Sequence, residues 1–435
     1  MKFQSNEILN GKYTPRKTTK SAFLIPFTLL LIMFPLILMR NTEESSPSSS
    51  SLSPPNMSSV RNMNNRTETK GCDIFAGNWI PYSEEPYYNS GTCKWMIDEQ
   101  NCMKFGRPDE EYLHWRWKPN ECELPLFNAT QFLELVSGKK MVFVGDSVGR
   151  NQLQSLLCLL SQVSEPEDVS HKYTSDVIYF RRYFFSDYNF TLGNLWSPYF
   201  VKSGDADKKG HSYNNIMKLY VDEVDEAWSS QVENFDIVII SAGHWFFRPL
   251  MYYNKGQLVG CNKCGIENVT DLAHYYGYKM AFRTAFRTLT SLENFKGVTF
   301  FRTFSPSHFE NGDWNKGGNC VRTKPFSKEE MKLDGYFLET YLTQVNEFKV
   351  AQKVASKKGL KFLMLNTTEI MLLRPDGHPN NYGHSKDTNV TYYNDCVHWC
   401  LPGPVDTWNE FLLHMLKRET CSSYSSKLES VVLQS

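Results

Sequence analysis

Two short segments carry the residue types needed for nucleophilic catalysis. Ser147 follows Gly145 and Asp146 directly after an apolar run, and Asp395 and His398 lie three residues apart near the C-terminus. Such a set could supply a serine nucleophile, a general base and the carboxylate that orients this base. The spacing of Asp395 and His398 predicts that both lie on one helical turn, where the carboxylate reaches the imidazole and fixes its tautomer.

The elements around Ser147 are predicted to be a strand and a helix. The apolar run 140–144 is typical of a buried strand and residues 150–160 of a helix, so Ser147 lies at a strand-to-helix turn. Gly145 permits a tight bend there, and the helix N-terminus offers backbone N–H groups to a developing oxyanion. We expect Asp146 to cap this helix and Arg150 to hold the turn rigid.

Further strands and helices alternate toward the C-terminus. The pattern predicts strands at 235–241, 297–303 and 360–365, and helices at 276–292, 328–358 (interrupted near Gly335) and 405–418. This alternation indicates a parallel sheet with right-handed crossovers, whose site gathers at the carboxyl ends of the strands. Gly243, Ser305 and the loop at 376–378 follow strands, so we expect them to converge with Ser147 and His398.

The composition sets broad limits on function. A chain of 435 residues with 41% hydrophobic residues can form one large core, or a core plus a small satellite. Because Lys+Arg and Asp+Glu both number 47, nothing indicates nucleic acid or an acidic polymer as a default partner. The 10 Trp and 23 Tyr residues suit a carbohydrate-binding cleft, since aromatic faces stack on sugars, although most of them are expected to pack in the core or on the surface.

The N-terminus predicts the compartment. Basic residues in 1–21 precede an apolar stretch at 22–39, which is long enough to span a thin bilayer. Positive charge on the N-terminal side predicts an uncleaved signal anchor with a cytosolic tail and a lumenal body, that is, a single-pass type II membrane protein. Residues 40–70, rich in Ser, Pro and Asn, are predicted to be a disordered stem.

Composition divides the remaining chain into three parts. Residues 71–125 form a Cys- and Trp-rich segment that we expect to lie over the larger domain, residues 126–421 form that α/β domain, and residues 422–435 form a C-terminal tail. N-glycans are predicted on the lumenal side, since N-x-[ST] patterns begin at Asn56, Asn65, Asn128, Asn189, Asn268, Asn366 and Asn389.

The cysteines indicate an oxidising environment. All 11 follow the apolar stretch, which predicts a disulfide framework with one cysteine left over. Bridges from Cys396 and Cys400 to distant cysteines would clamp the loop that carries His398. Cys261 and Cys264 have a metal-ligand spacing, but no second pair of suitable spacing stands out. A local disulfide is therefore favoured, and no metal site is predicted.

Both chemical segments extend into longer motifs that resemble one family. Residues 145–151 (GDSVGRN) with 155–158 (SLLC), and residues 395–403 (DCVHWCLPG) with 406–410 (DTWNE), resemble the plant trichome birefringence-like family of cell-wall polysaccharide O-acetyltransferases. The resemblance covers about residues 72–421. Residues 243–249 (GHWFFRP) and the following Gly260 and Cys261 are most similar to members that acetylate xyloglucan side chains.

The resemblance implies an SGNH-hydrolase-like fold, in three α/β/α layers around a mainly parallel sheet, with a small disulfide-stapled N-terminal segment. It also implies the disulfides Cys72–Cys122, Cys93–Cys158, Cys102–Cys400 and Cys320–Cys396.

The glycine and asparagine blocks of the wider SGNH class are not recognisable in this sequence. Asn151 and the turn formed by Gly243, His244 and Trp245 are the best substitutes for an oxyanion hole, and Trp245 could equally be an acceptor platform or a packing residue. Gly145, Asp146 and Arg150 complete the candidate oxyanion or substrate contacts. His244, His308 and His378 could contact substrate or could be ordinary core or surface histidines.

Together with the N-terminal anchor and the candidate Ser147, Asp395 and His398, the resemblance implies an enzyme of the Golgi membrane that transfers acetyl groups to a hemicellulose, xyloglucan ahead of xylan, through a Ser147 acyl-enzyme. We expect no bound cofactor, but an acetyl donor is required, either acetyl-CoA or another lumenal acetyl carrier. A polysaccharide acetylesterase is the alternative from the hydrolases, because a triad by itself cannot choose between water and a sugar. A non-catalytic protein that binds wall polysaccharides is the second alternative.

Overall fold

Strands and helices alternate along most of the chain. The computed structural model describes residues 72–177, 179–206, 215–385 and 392–432. The strands in chain order are β1 (Gly77–Pro81), β2 (Trp115–Pro119), β3 (Lys140–Gly145), β4 (Glu167–Asp168), β5 (Phe180–Phe185), β6 (Phe190–Trp196), β7 (Val201–Asp205), β8 (Met217–Val224), β9 (Ile237–Ser241), β10 (Leu250–Asn254), β11 (Gln257–Asn262), β12 (Val298–Arg302) and β13 (Lys361–Leu365). The α-helices are α1 (Ala129–Leu135), α2 (Ser147–Leu160), α3 (Glu226–Ser229), α4 (His274–Ser291), α5 (Gly335–Lys357), α6 (Thr368–Leu372) and α7 (Asp406–Val432).

Seven strands form the central sheet, in the order β13-β12-β9-β3-β6-β5-β4. The strands from β13 to β6 run parallel, and β5 and β4 extend the sheet in antiparallel pairing. The chain passes from β3 to β6 on one side and then returns to β9 on the other side of β3. In open α/β sheets a ligand crevice forms at such a reversal, outside the carboxyl ends of the strands. The prediction of a mainly parallel sheet is confirmed.

The two faces of this sheet are covered by different helices. Successive side chains of a strand point to opposite faces, so Met141 and Phe143 join one apolar cluster and Val142 and Val144 join another. The first cluster contains residues of α1, α2 and α7, and the second contains residues of α4 and α5. The protein therefore has the expected three-layer α/β/α architecture, and burial on both faces explains the unbroken apolar run of β3.

A second sheet of four strands, in the order β11-β10-β8-β7, is not predicted from the sequence. Its strand β8 buries Leu219 and Val221, while Tyr220 between them and the charged Lys218 and Asp222 beside them are partly exposed. These two side chains belong to the same apolar cluster as α4 and α5. The sheet escapes detection because charged and polar residues such as Lys218, Asp222 and Asn254 interrupt its strands, so they lack the apolar runs that mark the central strands.

The N-terminal segment is fastened to the body by disulfides, as predicted. Strands β1 and β2 pair in antiparallel register, and Cys72–Cys122 lies within the segment. Cys93–Cys158 joins the segment to α2, and Cys102–Cys400 joins it to the loop after His398. The chain from Gly71 onward forms one compact unit.

Three helix boundaries differ by more than two residues from the sequence-based expectation. Helix α5 begins at Gly335, so residues 328–334 of the expected helix 328–358 are not helical. Helix α2 begins at Ser147 rather than at residue 150, because the Asp146 side chain caps it. Helix α7 continues to Val432 rather than ending near residue 418, since residues 406–432 contain no Gly or Pro.

The predicted cytosolic tail, signal anchor and stem (residues 1–70) lie outside the described residues, as do Asn56, Asn65 and Asn389 of the predicted glycosylation sites. Asn128, Asn189 and Asn268 are exposed. Among the helices that the structure describes, none combines the length and apolar character needed to cross a membrane.

Candidate active site

Ser147 is held at the carboxyl end of β3, where the strand passes into α2. Gly145, the last residue of the strand, has a φ of 149°, and a Cβ there would overlap the carbonyl oxygen of Ser241 in β9. Only glycine allows β3 and β9 to approach so closely at this point. The Ser147 side chain therefore lies in the crevice where the strand order reverses.

Asp146 ties together the ends of the two central strands. Its Oδ1 accepts hydrogen bonds from the backbone N–H groups of Val148 (3.0 Å) and Gly149 (3.4 Å), which caps α2 as expected. Its Oδ2 accepts the N–H of Gly243, just after β9, at 2.8 Å. Since Asp146 is buried, this one carboxylate fixes both the start of α2 and the turn that follows β9.

Asp395 and His398 lie in an irregular loop rather than on a helical turn. Asp395 Oδ1 accepts the backbone N–H groups of Val397 (3.0 Å) and His398 (2.9 Å), while Oδ2 contacts His398 Nδ1 at 2.7 Å. An aspartate that bonds the backbone two and three residues ahead favours a turn over a helix. The loop therefore achieves the expected approach of the two side chains by a different backbone conformation.

The imidazole of His398 bridges the carboxylate and the serine. Its Nε2 lies 2.7 Å from Ser147 Oγ, so the three side chains form a continuous hydrogen-bonded chain across residues that are 251 positions apart in sequence. The side chains of His398 and Asp395 are 26% and 27% exposed, which leaves the site accessible from solvent.

The charges of Asp395 and His398 stabilise one another. Burial favours the neutral carboxyl of Asp395, but the charge and hydrogen bonds of His398 outweigh burial and hold the pKa of Asp395 well below its usual value. Burial also disfavours the imidazolium of His398, whereas the adjacent Asp395 carboxylate raises the pKa of His398 above its usual value. The pair therefore favours an ionised aspartate next to an imidazole that readily takes a proton.

Asn151 contacts the backbone next to His398, and its expected role at the oxyanion stays a prediction. Its Nδ2 donates to the carbonyl of Trp399 (3.2 Å), and its Oδ1 accepts the Trp399 N–H (2.7 Å). Both polar atoms of this fully buried amide are thus used to hold the backbone next to His398.

The turn at Gly243 and His244 is held by hydrogen bonds to neighbouring residues of the protein. The Gly243 N–H is donated to Asp146, so its use for an oxyanion is excluded in this arrangement. His244 Nε2–H donates to the Ser305 carbonyl at 2.8 Å, and burial lowers the pKa of His244 to about 4, which keeps the ring neutral. Trp245 is half-buried, with its ring edge-on to Trp196 at 5.7 Å.

Arg150 lies beside the site on α2. Its guanidinium carbon is 5.7 Å from the centroid of the Trp196 ring, and its charge acts on His398, whose pKa it lowers. Its buried Nε has no hydrogen-bond partner among the described residues. A cation with an unused donor therefore stands close to the hydrogen-bonded chain.

His308 and His378 support the loop from behind and do not contact Ser147. His378 Nδ1–H donates to the carbonyl of His398 at 2.7 Å, and His308 contacts His378 through their facing ring nitrogens, 2.7 Å apart. Burial lowers the pKa of His308 to about 4 and that of His378 well below its usual value. These two histidines thus fix the backbone of His398.

Two further supports of the loop are missing from the sequence analysis. The buried Trp399 ring stacks on His378 with centroids 4.1 Å apart, and its Nε1–H donates to Ser305 Oγ at 3.1 Å. Arg107 of the N-terminal segment donates to the carbonyls of Asp376 (2.6 Å) and His378 (2.9 Å). The position of Trp399 next to His398 is a usable signal, whereas nothing in the sequence links Arg107 to residues about 270 positions away.

The loop is also covalently fixed at both ends. Cys396 is joined to Cys320 and Cys400 to Cys102, which are the pairs implied by the family resemblance. The remaining disulfide, Cys261–Cys264, is local and lies at the end of β11. His398 is therefore carried by a loop that two long-range disulfides restrain.

A doubly wound α/β/α sheet, with a strand-end serine bonded to a histidine and an aspartate, defines an SGNH-hydrolase-like protein. The sequence profile of PC-Esterase, the GDSL/SGNH-like acyl-esterase family found in Pmr5 and Cas1p, matches residues 124–415, and that of the PMR5 N-terminal domain matches residues 70–123. The chain belongs to the PC-Esterase family and, within it, to the trichome birefringence-like proteins.

Curated relatives cover most of this chain. It is 49% identical over 384 residues to protein trichome birefringence-like 19 of Arabidopsis thaliana, covering 87% of this chain and 89% of that protein. It is 44% identical to xyloglucan O-acetyltransferase 4 of Populus trichocarpa over 81% of this chain and 82% of that protein. It is 41% identical to xyloglucan O-acetyltransferase 1 of Arabidopsis thaliana over 80% of each chain.

Proposed function

We propose that this protein is a polysaccharide O-acetyltransferase that acetylates a hemicellulose, xyloglucan before xylan, through an acetyl ester on Ser147. The observation that carries the proposal is the hydrogen-bonded chain from Asp395 through His398 to Ser147, with both contacts at 2.7 Å. Its support comes from relatives named xyloglucan O-acetyltransferase at 40–44% identity.

In the first half-reaction, His398 Nε2 accepts the Ser147 Oγ proton as Oγ attacks the carbonyl carbon of the acetyl donor. Asp395 stabilises the imidazolium that forms and keeps its Nδ1–H directed at the carboxylate. The imidazolium then gives the proton to the departing group of the donor, which leaves acetyl-Ser147 and neutral His398.

In the second half-reaction a sugar hydroxyl replaces the departed group. His398 Nε2 takes the hydroxyl proton while the sugar oxygen attacks the acetyl carbonyl. Collapse of the tetrahedral intermediate breaks the bond to Ser147 Oγ, which recovers the proton from His398. The enzyme returns to its starting state and the polymer carries one more acetyl ester.

Besides the second Nδ2–H of Asn151, two donors are available for the oxyanion, since the Gly243 N–H is bonded to Asp146. The Ser147 N–H is the first of α2 and has no acceptor within the helix. Arg150 supplies a positive charge and a buried Nε–H that has no partner among the described residues. Donors aimed at the developing negative charge are worth most in a partly dehydrated site, which is why we assign both to this role.

The acceptor is proposed to be uncharged. The chain has equal numbers of acidic and basic residues, and aromatic side chains, including Trp196 and Trp245, lie near Ser147 on the neighbouring strand ends. Aromatic faces suit the apolar faces of neutral sugars better than they suit uronate carboxylates.

Acetyl ester hydrolysis is the second candidate. It is favoured by the description of the family as acyl-esterase and by the quarter exposure of Asp395 and His398, which lets water reach the site. The same acyl-enzyme then reacts with water instead of a sugar.

We further propose that the protein is a single-pass type II protein of the Golgi membrane with its body in the lumen. The apolar stretch at 22–39 and the basic residues before it support this topology. The five disulfides support an oxidising compartment.

The test is an acceptor panel. The full-length protein is incubated with acetyl-CoA, or with another acetyl ester as donor, and with deacetylated xyloglucan, xylan, mannan or pectin oligomers, and products are identified by mass spectrometry. We expect acetylated xyloglucan oligomers with the wild type and none with Ser147→Ala. Acetylation of xylan alone would refute the choice of polymer, and loss of acetyl groups from preacetylated oligomers without any transfer would identify an esterase.

A further inference from the structure

An aromatic pair, Trp314 and Tyr393, lies at the surface beside the loop that carries His398. Trp314 lies between β12 and α5, and Tyr393 lies between α6 and α7. Their ring centroids are 5.4 Å apart, at an interplanar angle of 64°. Tyr393 is 59% exposed and Trp314 is half-buried, and neither ring belongs to the hydrogen-bonded chain from Asp395 to Ser147. Aromatic surface left in water next to a reactive site indicates a surface for a ligand.

The aromatic pair lies at the same edge of the central sheet as Ser147. Strands β3, β9, β12 and β13 run parallel, so their carboxyl ends share one edge. Trp314 is carried by the loop that leaves the carboxyl end of β12, and Tyr393 by the segment that follows β13 and α6. Tyr393 also precedes Asp395 by only two residues, which limits their Cα separation to about 7 Å. A polymer whose reacting hydroxyl is at Ser147 therefore has neighbouring residues within reach of the aromatic pair.

Cross-links between the two loops fix the aromatic pair in place. Asn394 donates through Nδ2 to the carbonyl of Gly318 at 2.8 Å, which joins one loop to the other. Two residues further along each loop, the disulfide Cys320–Cys396 joins them covalently. Because the rings are held before a ligand arrives, binding loses little conformational entropy. The same links restrain the loop of His398, so the aromatic pair and the reacting groups keep a fixed separation.

The chemistry of the aromatic pair indicates a sugar as its occupant. Indole and phenol faces stack on the apolar faces of sugar rings. The exposed Asn315, next to Trp314, adds an amide that can both donate to and accept from sugar hydroxyls. Two rings are too small a surface for a protein partner, since a stable interface buries about 800 Å² on each side.

A neutral sugar fits this surface better than an anionic one. Asp313 and Lys316, on either side of Trp314, form an ion pair with each other at 2.7 Å. Glu310 and Arg322 of the same loop are likewise paired at 2.7 Å. These cations are thus balanced by nearby carboxylates, and a uronate gains little attraction from them.

We propose that the aromatic pair binds a neutral sugar residue of the acceptor polysaccharide, a short distance along the polymer from the residue that Ser147 acetylates. The inference rests on the proposed function. Stacking at the aromatic pair holds the polymer while one of its hydroxyl groups reaches the acetyl ester. Recognition of the acceptor therefore extends beyond the sugar residue that reacts.

Calorimetry of the full-length protein with deacetylated xyloglucan oligosaccharides, without any acetyl donor, measures this binding alone. We expect Trp314→Ala and Tyr393→Ala each to raise the Kd about three- to tenfold, because one stacking surface is lost. Tyr393→Phe keeps the ring and should keep the wild-type Kd. The matched control is Tyr173→Ala, which removes a ring that is 57% exposed, near β4 and thus at the opposite edge of the central sheet from β12 and β13.

A second measurement needs no variant. Tyrosines of the wild type are nitrated with and without the oligosaccharide, and their modification is quantified by mass spectrometry of the peptides. We expect the oligosaccharide to protect Tyr393 and to leave the reactivity of Tyr173 unchanged.

Raised Kd values in both alanine variants of the aromatic pair, with wild-type values in Tyr393→Phe and Tyr173→Ala, support the proposal. Equal affinity in all the proteins overturns it, and so does a Tyr393 that the oligosaccharide does not protect, a result that decides even where an alanine variant fails to fold. Tighter binding of oligogalacturonides than of xyloglucan oligosaccharides overturns the neutral class. A wild type that binds but never acetylates refutes the proposed function alone, whereas acetylation with unchanged Kd values in both alanine variants refutes the aromatic pair alone.

Discussion

Two groups of acidic side chains, only about ten residues apart in sequence, have pKa values that are shifted in opposite directions. Asp395 lies beside His398 and has a pKa well below its usual value. At the start of α7, burial raises the pKa of Asp406 to about 6 and that of Glu410 to about 7. Both Asp395 and Asp406 accept three hydrogen bonds, so the number of bonds does not explain the difference.

The chemistry of the hydrogen-bond donors explains the difference in pKa between Asp395 and Asp406. Asp395 faces an imidazole that can carry a positive charge, whereas Asp406 accepts from the hydroxyls of Tyr88 and Ser155 and from the Gly403 N–H. At Asp406 the neutral donors do not offset the cost of burying the carboxylate, whereas at Asp395 the charge and hydrogen bonds of His398 do. Asp395 therefore stays ionised beside His398, whereas Asp406 and Glu410 are largely neutral in mildly acidic solution.

The largest expected effect comes from breaking the hydrogen-bonded chain of Asp395, His398 and Ser147. We expect Ser147→Ala, His398→Ala and Asp395→Asn each to lower kcat about a thousandfold or more, because each removes a member of one proton-transfer unit. Acetyl transfer is measured by mass spectrometry and folding by circular dichroism. Asp187→Asn is the control, an exposed aspartate with the same change. Near-normal turnover by a folded Ser147→Ala protein would refute the covalent mechanism.

The second effect concerns the disulfides that hold this chain in place. Cys320→Ser with Cys396→Ser opens a link across 76 residues, and we expect a loss of stability of about 4 kcal/mol together with a fall in kcat, since the His398 loop gains freedom. Cys261→Ser with Cys264→Ser opens a link across only three residues, and we expect less than about 2 kcal/mol and unchanged kcat. Urea unfolding and turnover measure both, and equal kcat in the two double variants would contradict the clamp.

The raised pKa values of Asp406 and Glu410 predict that their contribution to the free energy of unfolding falls as the pH rises. A carboxyl group whose pKa is higher in the folded than in the unfolded state stabilises the protein while protonated, and this contribution is lost between the two pKa values, here from about pH 4 to about pH 7. Asp395 acts in the opposite sense, since its contribution is present above the unfolded pKa and is lost in acid.

Glu410→Gln isolates this contribution. It removes the ionisation and retains an oxygen for the Tyr87 hydroxyl, so at pH 8 we expect the variant to be about 2–3 kcal/mol more stable than the wild type. At pH 4 the two proteins should unfold at similar urea concentrations. The exposed Glu121→Gln is the control. A variant with the same pH dependence as the wild type would show that Glu410 is ionised at no cost.

The smallest expected effect is at Trp245. If its half-buried ring serves as a platform for the acceptor, Trp245→Ala raises the acceptor KM about three- to tenfold, more than it lowers kcat, because only sugar stacking is lost. Steady-state kinetics with xyloglucan oligomers measure the two constants separately. A lower melting temperature with an unchanged KM would instead assign Trp245 to packing against Trp196 and Tyr199.

The central strands were predictable because burial on both faces demands unbroken apolar sequence, as in β3 and β9. The second sheet was not, since half-exposed strands such as β8 tolerate charge. Ser147, Asp395 and His398 were recognisable by residue type and motif. The actual partners of Asn151 were not, because whether a buried amide faces substrate or a backbone depends on contacts about 250 residues away.

The same limit applies to the acids of α7. A glutamate in a helix is expected to be exposed, but Glu410 is buried and accepts the hydroxyl of Tyr87, which lies 323 residues earlier in the N-terminal segment. No local pattern carries that information.

The central claim is that the hydrogen-bonded chain of Asp395 and His398 makes Ser147 an acetyl carrier. The most direct measurement is to detect the acetyl group on Ser147. The full-length protein is quenched in acid during turnover with an acetyl donor, and its peptides are sequenced by mass spectrometry. The account predicts acetyl on Ser147, absent in Ser147→Ala, and its disappearance when xyloglucan oligomers are added, with a matching gain on the sugar. Acetylated sugar formed without any acetyl-Ser147 would contradict it.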